Sequence, residues 1–204
     1  MSVSGEDSGG RETSGSGAEV EGPGSADGSE ARAGSPVRRA VPADVPALVR
    51  LRALMLGEMG LDIGGEDAAW RHGAVSWFEE RLRDPSRFAV FVADDPDLGV
   101  VSCAAGICED RAPSPTNVGG GHGHVFNIST DVRSRRLGYA RACLVALLDW
   151  FRDETEVGVI SLNATQDGMS LYRSLRFEAP GYPPLQLRMD RRGEVRDLPV
   201  SRLR

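Results

Sequence analysis

One segment constrains the fold more than any other: residues 124–151, reading HVFNIST, then DVRSRRLG, then YARACLVALLDWF. The first part is a short run of β-branched and aromatic residues, which predicts a strand over His124–Thr130. The last part repeats Ala140, Leu144, Leu147, Leu148 and Phe151 at helical spacing. A strand that enters an amphipathic helix through a tight turn belongs in a layered α/β fold.

The turn itself carries chemistry. Arg135, Gly138 and Ala140 fit the pattern Gln/Arg-x-x-Gly-x-Gly/Ala. Small residues between a strand and a helix let the backbone approach a bound group closely. The N–H groups of a first helical turn then point at phosphate oxygens. Arg135, Arg136 and Arg141 add charge-assisted donors that suit a pyrophosphate.

The flanking sequence completes the plan. Val37 to Ala40 predicts a short strand. Asp44 is placed to cap a helix striped by Val45, Leu48, Leu51, Met55 and Met59. After the Gly64-Gly65 joint, Trp70, Ala74, Trp77, Phe78 and Leu82 predict a second helix, its aromatics read as core. Phe88–Ala93 and Gly99–Cys108, joined by Asp-Asp-Pro-Asp turn chemistry, predict an antiparallel hairpin. Val157–Leu162 predicts a strand, Gly168–Leu175 a helix and Leu185–Met189 a last strand. The order is βααβββαβαβ, an α/β fold with mixed strand directions.

Residues 1–35 stand apart. They hold 9 Gly, 8 Ser and 7 acidic residues but only 2 Arg and no aromatic residue. Such a stretch buries too little apolar surface to offset its ordering entropy, so a disordered acidic tail is expected. It carries −5 of the net charge of −6 and leaves a nearly neutral body. The body is divided into a domain over 36–190 and an arginine-rich extension over 191–204. A near-neutral body disfavours a nucleic-acid partner. No apolar run is long enough to span a membrane, and no secretory h-region opens the chain. Three cysteines, Cys103, Cys108 and Cys143, are an odd number without metal spacing, so reduced thiols and a cytoplasmic location are expected.

A second element joins the turn. Thr165 to Phe177 contains Leu171-Tyr172 and then Phe177, one predicted strand after Ala140. With both elements present, the chain resembles the GNAT superfamily of acetyl-CoA-dependent N-acetyltransferases. In that family the turn is followed by a helix reading L-Y-x-x-x-G-F. The segment NISTDVRSRRLGYARA is similar to the family pattern N-V-Y-V-x-P-x-x-R-G-x-G, with Val132 at the proline position. Two departures stand out. Arg176 occupies the usual glycine before Phe177, at a cost of roughly 1 kcal/mol if φ is positive there. Thr165 stands where many relatives have Asn.

The resemblance implies a GNAT-like, mostly antiparallel central sheet flanked by helices. It implies acetyl-CoA as co-substrate, with no metal. The strand Ile128, Ser129 and Thr130 would offer backbone groups to the pantetheine amides and the oxyanion. The turn Arg135, Arg136, Leu137, Gly138, Tyr139, Ala140 and Arg141 would cradle the pyrophosphate, and Thr165 would touch the pantetheine. Tyr172 would protonate the departing thiolate. The two N-terminal helices would flank the acceptor cleft. The acceptor is a primary amine on a small molecule or peptide; a homodimer is compatible with such folds. The alternative is a non-catalytic acyl-CoA-binding or interaction module.

Candidates for a general base are Glu109, Asp110, His122, His124 and Asp131, with none singled out. His122 and His124 share a strand face, but no third metal ligand has a recognisable spacing.

Overall fold

Strand β2 (Phe88–Asp95) shows how the layers form. Phe88, Val90 and Val92 join one buried cluster, whereas Ala89 and Ala93 join a second. Alternation along a strand sends neighbours to opposite faces, so a strand apolar on both faces needs cover on both. Helices α1 (Val45–Glu58) and α2 (Ala69–Arg81) cover the first face. Helices α3 (Tyr139–Glu154) and α4 (Met169–Ser174) cover the second. The computed structural model describes residues 37–187 and 189. The expected tail over 1–35 and the extension over 191–204 lie outside the described residues.

The sheet runs in the order β1-β2-β3-β4-β5, with β1 (Val37–Arg39), β3 (Gly99–Asp110), β4 (Gly121–Thr130) and β5 (Val159–Leu162). All neighbours are antiparallel except β4 and β5, which are parallel. The helix α3 supplies the crossover that parallel pairing requires. It seats on the sheet through Phe151, which fits against Gly106 of β3 and Gly123 of β4. A methyl group at either glycine would lie within 2.8 Å of the Phe151 ring.

Two irregularities open the sheet at β4. Parallel pairing stops at Val125 and Leu162, so β4 continues for five residues with nothing paired on its β5 side. Near that point β4 also bulges. Cys103 pairs with Ser129 and Ala105 with Phe126, so two steps on β3 oppose three on β4. Asn127 takes φ +53° there. An extra residue reverses the facing of everything beyond it. Phe126 therefore packs under α1 and α2, while Ile128 packs on the α3 side.

Two expectations are corrected. Asp44 does not cap α1 with its side chain. Its carboxylate instead accepts from the Val41 N–H at 2.8 Å and from Arg38 at 2.7 and 2.9 Å, closing a short 3-10 turn over Pro42–Asp44. The Arg38 ion pair is the stronger partner for an ionised group. The last strand, expected over Leu185–Met189, does not form in its described first part: residues 185–187 take no regular structure, and Leu185 and Leu187 are exposed. A pattern of alternating apolar residues makes a strand only where a sheet edge receives it.

Candidate functional site

The unpaired end of β4 forms one wall of a groove of about 820 Å³. The start of α3 closes one end, and the segment from Thr165 to Tyr172 forms the facing wall. Ile128, Ser129, Thr130, Arg135, Arg136, Gly138, Tyr139, Ala140, Arg141, Thr165 and Tyr172 all line it. Leu137 belongs to the same turn but does not line the groove and stands 49% exposed. Asn127 and Ile128 fall outside the β3 register, so the bulge frees their backbone from the ladder. The Asn127 carbonyl accepts from the Cys103 thiol at 3.2 Å. The Ser129 carbonyl accepts from the Ser102 hydroxyl at 3.0 Å, and the Thr130 carbonyl from Arg135 Nε at 3.3 Å.

The turn into α3 uses two left-handed residues, Arg136 at φ +63° and Gly138 at φ +85°. Gly138 has nothing within 4 Å of where a Cβ would stand, so its bare backbone faces open space. The first intrahelical bond runs from the Ala142 N–H to the Gly138 carbonyl, 3.0 Å. The N–H groups of Tyr139, Ala140 and Arg141 precede it and have no helical acceptor. Together with Arg136 and Arg141 they give this end the donors and charge that suit an anion. Arg135 is tied back to Glu58 at the end of α1. Arg133 turns away to Asp131, at 3.0 Å.

Tyr172 is buried at 8% exposure, yet it lines the groove. Its ring meets Phe177 edge-on at 6.2 Å and packs against Gly168. Its hydroxyl makes no hydrogen bond among the described residues. Burial pushes the phenol above its usual value, so it keeps its proton at neutral pH. The Thr165 hydroxyl accepts from the Gly168 N–H at 3.3 Å, which makes it part of the turn that seats Tyr172. Arg176 takes φ +66°, the left-handed geometry that glycine would hold without strain.

Residues 58–177 match the model of the acetyltransferase (GNAT) family. The chain belongs to that family. Solved structures of the same fold include a predicted acetyltransferase from Clostridium acetobutylicum with acetyl-CoA, at TM-score 0.64 and 22% identity, covering 74% of this chain and 94% of that one. A GCN5-related N-acetyltransferase from Ralstonia eutropha matches at TM-score 0.63 and 20% identity, over 74% and 96% of the two chains. Glucosamine-6-phosphate N-acetyltransferase from Arabidopsis thaliana matches at TM-score 0.57 and 13% identity, over 74% and 95%. At these identities the likeness is one of fold. No curated protein matches the chain.

Within this GNAT fold the five base candidates are scattered. Glu109 and Asp110 end β3 and His122 stands near the start of β4, where Glu109 pairs with His122 and Asp110 with Gly121. Glu109 is bound to Arg111 and Asp110 to Arg87. Burial, reinforced by Arg111, holds His122 below its usual value. Asp131 is buried and held far below the carboxylate range by Arg133, with Arg50 adding to the effect. None of these four lines the groove. His124 stacks on Phe126 at 6.1 Å and sits 3.3 Å from the Ser161 hydroxyl, so it lies on the α1–α2 face. No cluster of three metal-ligating side chains occurs among the described residues.

The sequence reading missed part of the lining. Asn163 and Ser170 lie on the wall facing β4, and Met55, Glu58 and Met59 come from α1. The methionines read as core because they continue the α1 stripe. Met59, the residue directly after α1 ends, is 55% exposed. Of the α2 aromatics read as core, Phe78 is fully buried and Trp77 packs against the same cluster, whereas Trp70 lies outside it; both tryptophans also line a second cavity.

Proposed function

We propose that this GNAT acetyltransferase moves the acetyl group of acetyl-CoA to a primary amine by direct attack on the thioester. The observation that carries the reading is the single groove that joins a freed strand bulge, a cationic helix start and a protonated, buried tyrosine. A polyanionic, extended co-substrate fits these residues. The turn from Arg135 to Arg141 takes the pyrophosphate through backbone N–H groups and arginines. The backbone of Ile128, Ser129 and Thr130 pairs with the pantetheine amides as an added strand does. An N–H of the same segment holds the oxyanion that develops during attack.

The acceptor nitrogen, neutral after releasing a proton to solvent, bonds to the acyl carbon. The C–S bond then breaks, and its electron pair leaves on sulfur. Tyr172 donates its phenolic proton to that thiolate and regains one derived from the amine nitrogen. The products are an N-acetylated amine and CoA thiol.

The rival reading, a non-catalytic acyl-CoA-binding module, rests on Arg176 and Thr165. Arg176 keeps the left-handed geometry and does not line the groove, and the Thr165 hydroxyl supports the Tyr172 turn. Both departures are thus compatible with the catalytic reading. Titration of the full chain with acetyl-CoA tests the proposal, with CoA thiol release followed across a panel of amines. Saturable binding and amine-dependent thiol release are expected. Failure of a folded sample to bind millimolar acetyl-CoA overturns it, and binding without turnover of any amine favours the module.

A further inference from the structure

Phe126 lines two cavities. One is the groove; the other, of about 340 Å³, is walled by Trp70, Trp77, Phe78, Phe126, Ala74 and Arg52. This is the size and largely apolar character of a small-molecule site. The box is rigid. Trp77 meets Phe78, Phe88 and Phe126 edge-on at 5.2, 5.4 and 5.9 Å. The Trp70 indole N–H donates to the Ile63 carbonyl at 2.8 Å, which fixes the facing wall.

One charge sits in this box. Arg52 is half-buried, and its Nη1 donates to Asn127 Oδ1 at 3.2 Å. It makes no ion pair among the described residues, and no acidic side chain lines the cavity. Arg71 and Arg81, which do not line the cavity, lie over the rings of Trp70 and Trp77 at 4.9 and 5.6 Å. A partly desolvated guanidinium without a counter-charge is unfavourable until an anion reaches it. Arg52 has a planar fork of donors that suits a carboxylate.

The order of the parts sets the order of groups in a ligand. Arg52 contacts Asn127, the residue immediately before Ile128 in the bulge, so the cation lies beside the strand that the groove shares. The tryptophans come from α2 and, with Phe126, form the aromatic walls of the box. We infer that the acceptor of the proposed acetyltransferase is an aromatic α-amino acid, its carboxylate on Arg52 and its ring between Trp70, Trp77 and Phe126. This rests on the acetyl-CoA reading of the groove. The α-amine then lies next to the carboxylate, at the β4 end. Its nitrogen bonds to the acyl carbon, the C–S bond breaks, and one nitrogen proton is replaced on the sulfur side through Tyr172.

The test uses the full chain with acetyl-CoA and three probes: L-phenylalanine, phenethylamine, which lacks the carboxylate, and spermidine. L-phenylalanine is expected to exceed both others in kcat/KM by roughly tenfold or more, and to perturb tryptophan fluorescence at millimolar concentration. Arg52→Gln is expected to raise KM for L-phenylalanine about tenfold and to erase its advantage over phenethylamine. Gly73 also lines the box and has nothing within 4 Å of a built Cβ, so Gly73→Leu starts a side chain there without a clash at its first atom. That variant is expected to raise KM for L-phenylalanine while leaving acetyl-CoA affinity and melting temperature intact. Turnover of spermidine or phenethylamine in preference to L-phenylalanine overturns the inference and leaves the acetyltransferase reading standing. So does an Arg52→Gln variant with an unchanged substrate ratio, or acetyl-CoA binding with no response of any kind to L-phenylalanine. Absence of acetyl-CoA binding removes both readings.

Discussion

Gly168 and the ring of Tyr172 are in closest contact: a methyl group built on Gly168 would come within 2.7 Å of ring carbon Cε2. The backbone of Gly168, at φ −81°, accepts any residue, so the restriction is steric alone. The missing side chain lets the ring lie flat against the turn and leaves the hydroxyl at the groove. Gly168→Ala is therefore expected to push Tyr172 from its place, costing about 1–3 kcal/mol of stability and lowering kcat about tenfold or more. Tyr172→Phe keeps the packing and removes the proton. It is expected to lower kcat about a hundredfold with acetyl-CoA affinity and melting temperature unchanged. Steady-state kinetics beside calorimetric titration separates the two, and a Phe variant with wild-type kcat would show that Tyr172 is not the acid.

Arg176 holds a positive φ with a Cβ present. Arg176→Gly should relieve that strain and raise stability by up to about 1 kcal/mol, partly offset by the greater freedom of glycine in the unfolded chain. Arg176 does not line the groove, so kcat/KM should stay the same. Denaturant unfolding checks this, and a loss of stability would mean that the arginine side chain makes compensating contacts.

Asp131 binds Arg133 and Arg50 and accepts from the Arg133 N–H at 3.1 Å, which fixes the exit from β4. Its native pKa is lowered, chiefly by the Arg133 side chain. The stabilisation is complete above the ordinary carboxylate value of about 3.9 and is lost as pH falls through the lowered native value. Asp131→Asn should cost about 1–3 kcal/mol at neutral pH. Melting temperatures across pH should show the gap to wild type closing in acid; a gap that stays constant would contradict the ion-pair account.

Phe151 occupies the space left by Gly106 and Gly123. Gly123→Ala should destabilise by about 1–3 kcal/mol through overpacking. Adding Phe151→Leu should recover part of the loss, since the two sites share one contact. Additive losses in a double-mutant cycle would place the clash elsewhere.

Much of this molecule is written locally. The apolar run of β2, the stripe of α3 and the turn chemistry between β2 and β3 each specify their element through nearest neighbours. The anion-binding turn is equally local, because a strand, a glycine and a helix start within a few residues create it whatever surrounds them. The position of Tyr172 at the groove is legible through the family resemblance carried by Leu171, Tyr172 and Phe177. The cavity beside Trp70 and Trp77 is not legible in the sequence, because an aromatic stripe at helical spacing reads as core whether or not it also lines a cavity. The exposure of Met59 is not legible for the same reason, since the apolar periodicity continues past the end of the helix.

The sequence by itself determined the α/β class, the elements from Val37 to Ser174 and the arginine-glycine turn, because each depends on residues a few positions apart. Only the tertiary structure decided where the sheet opens and which way its site residues face. The bulge at Asn127 is defined by register against β3, and it alone turns Phe126 toward the aromatic box and Ile128 toward the groove. A period of two along one strand cannot show that, because facing is fixed by pairing with a partner strand distant in the chain.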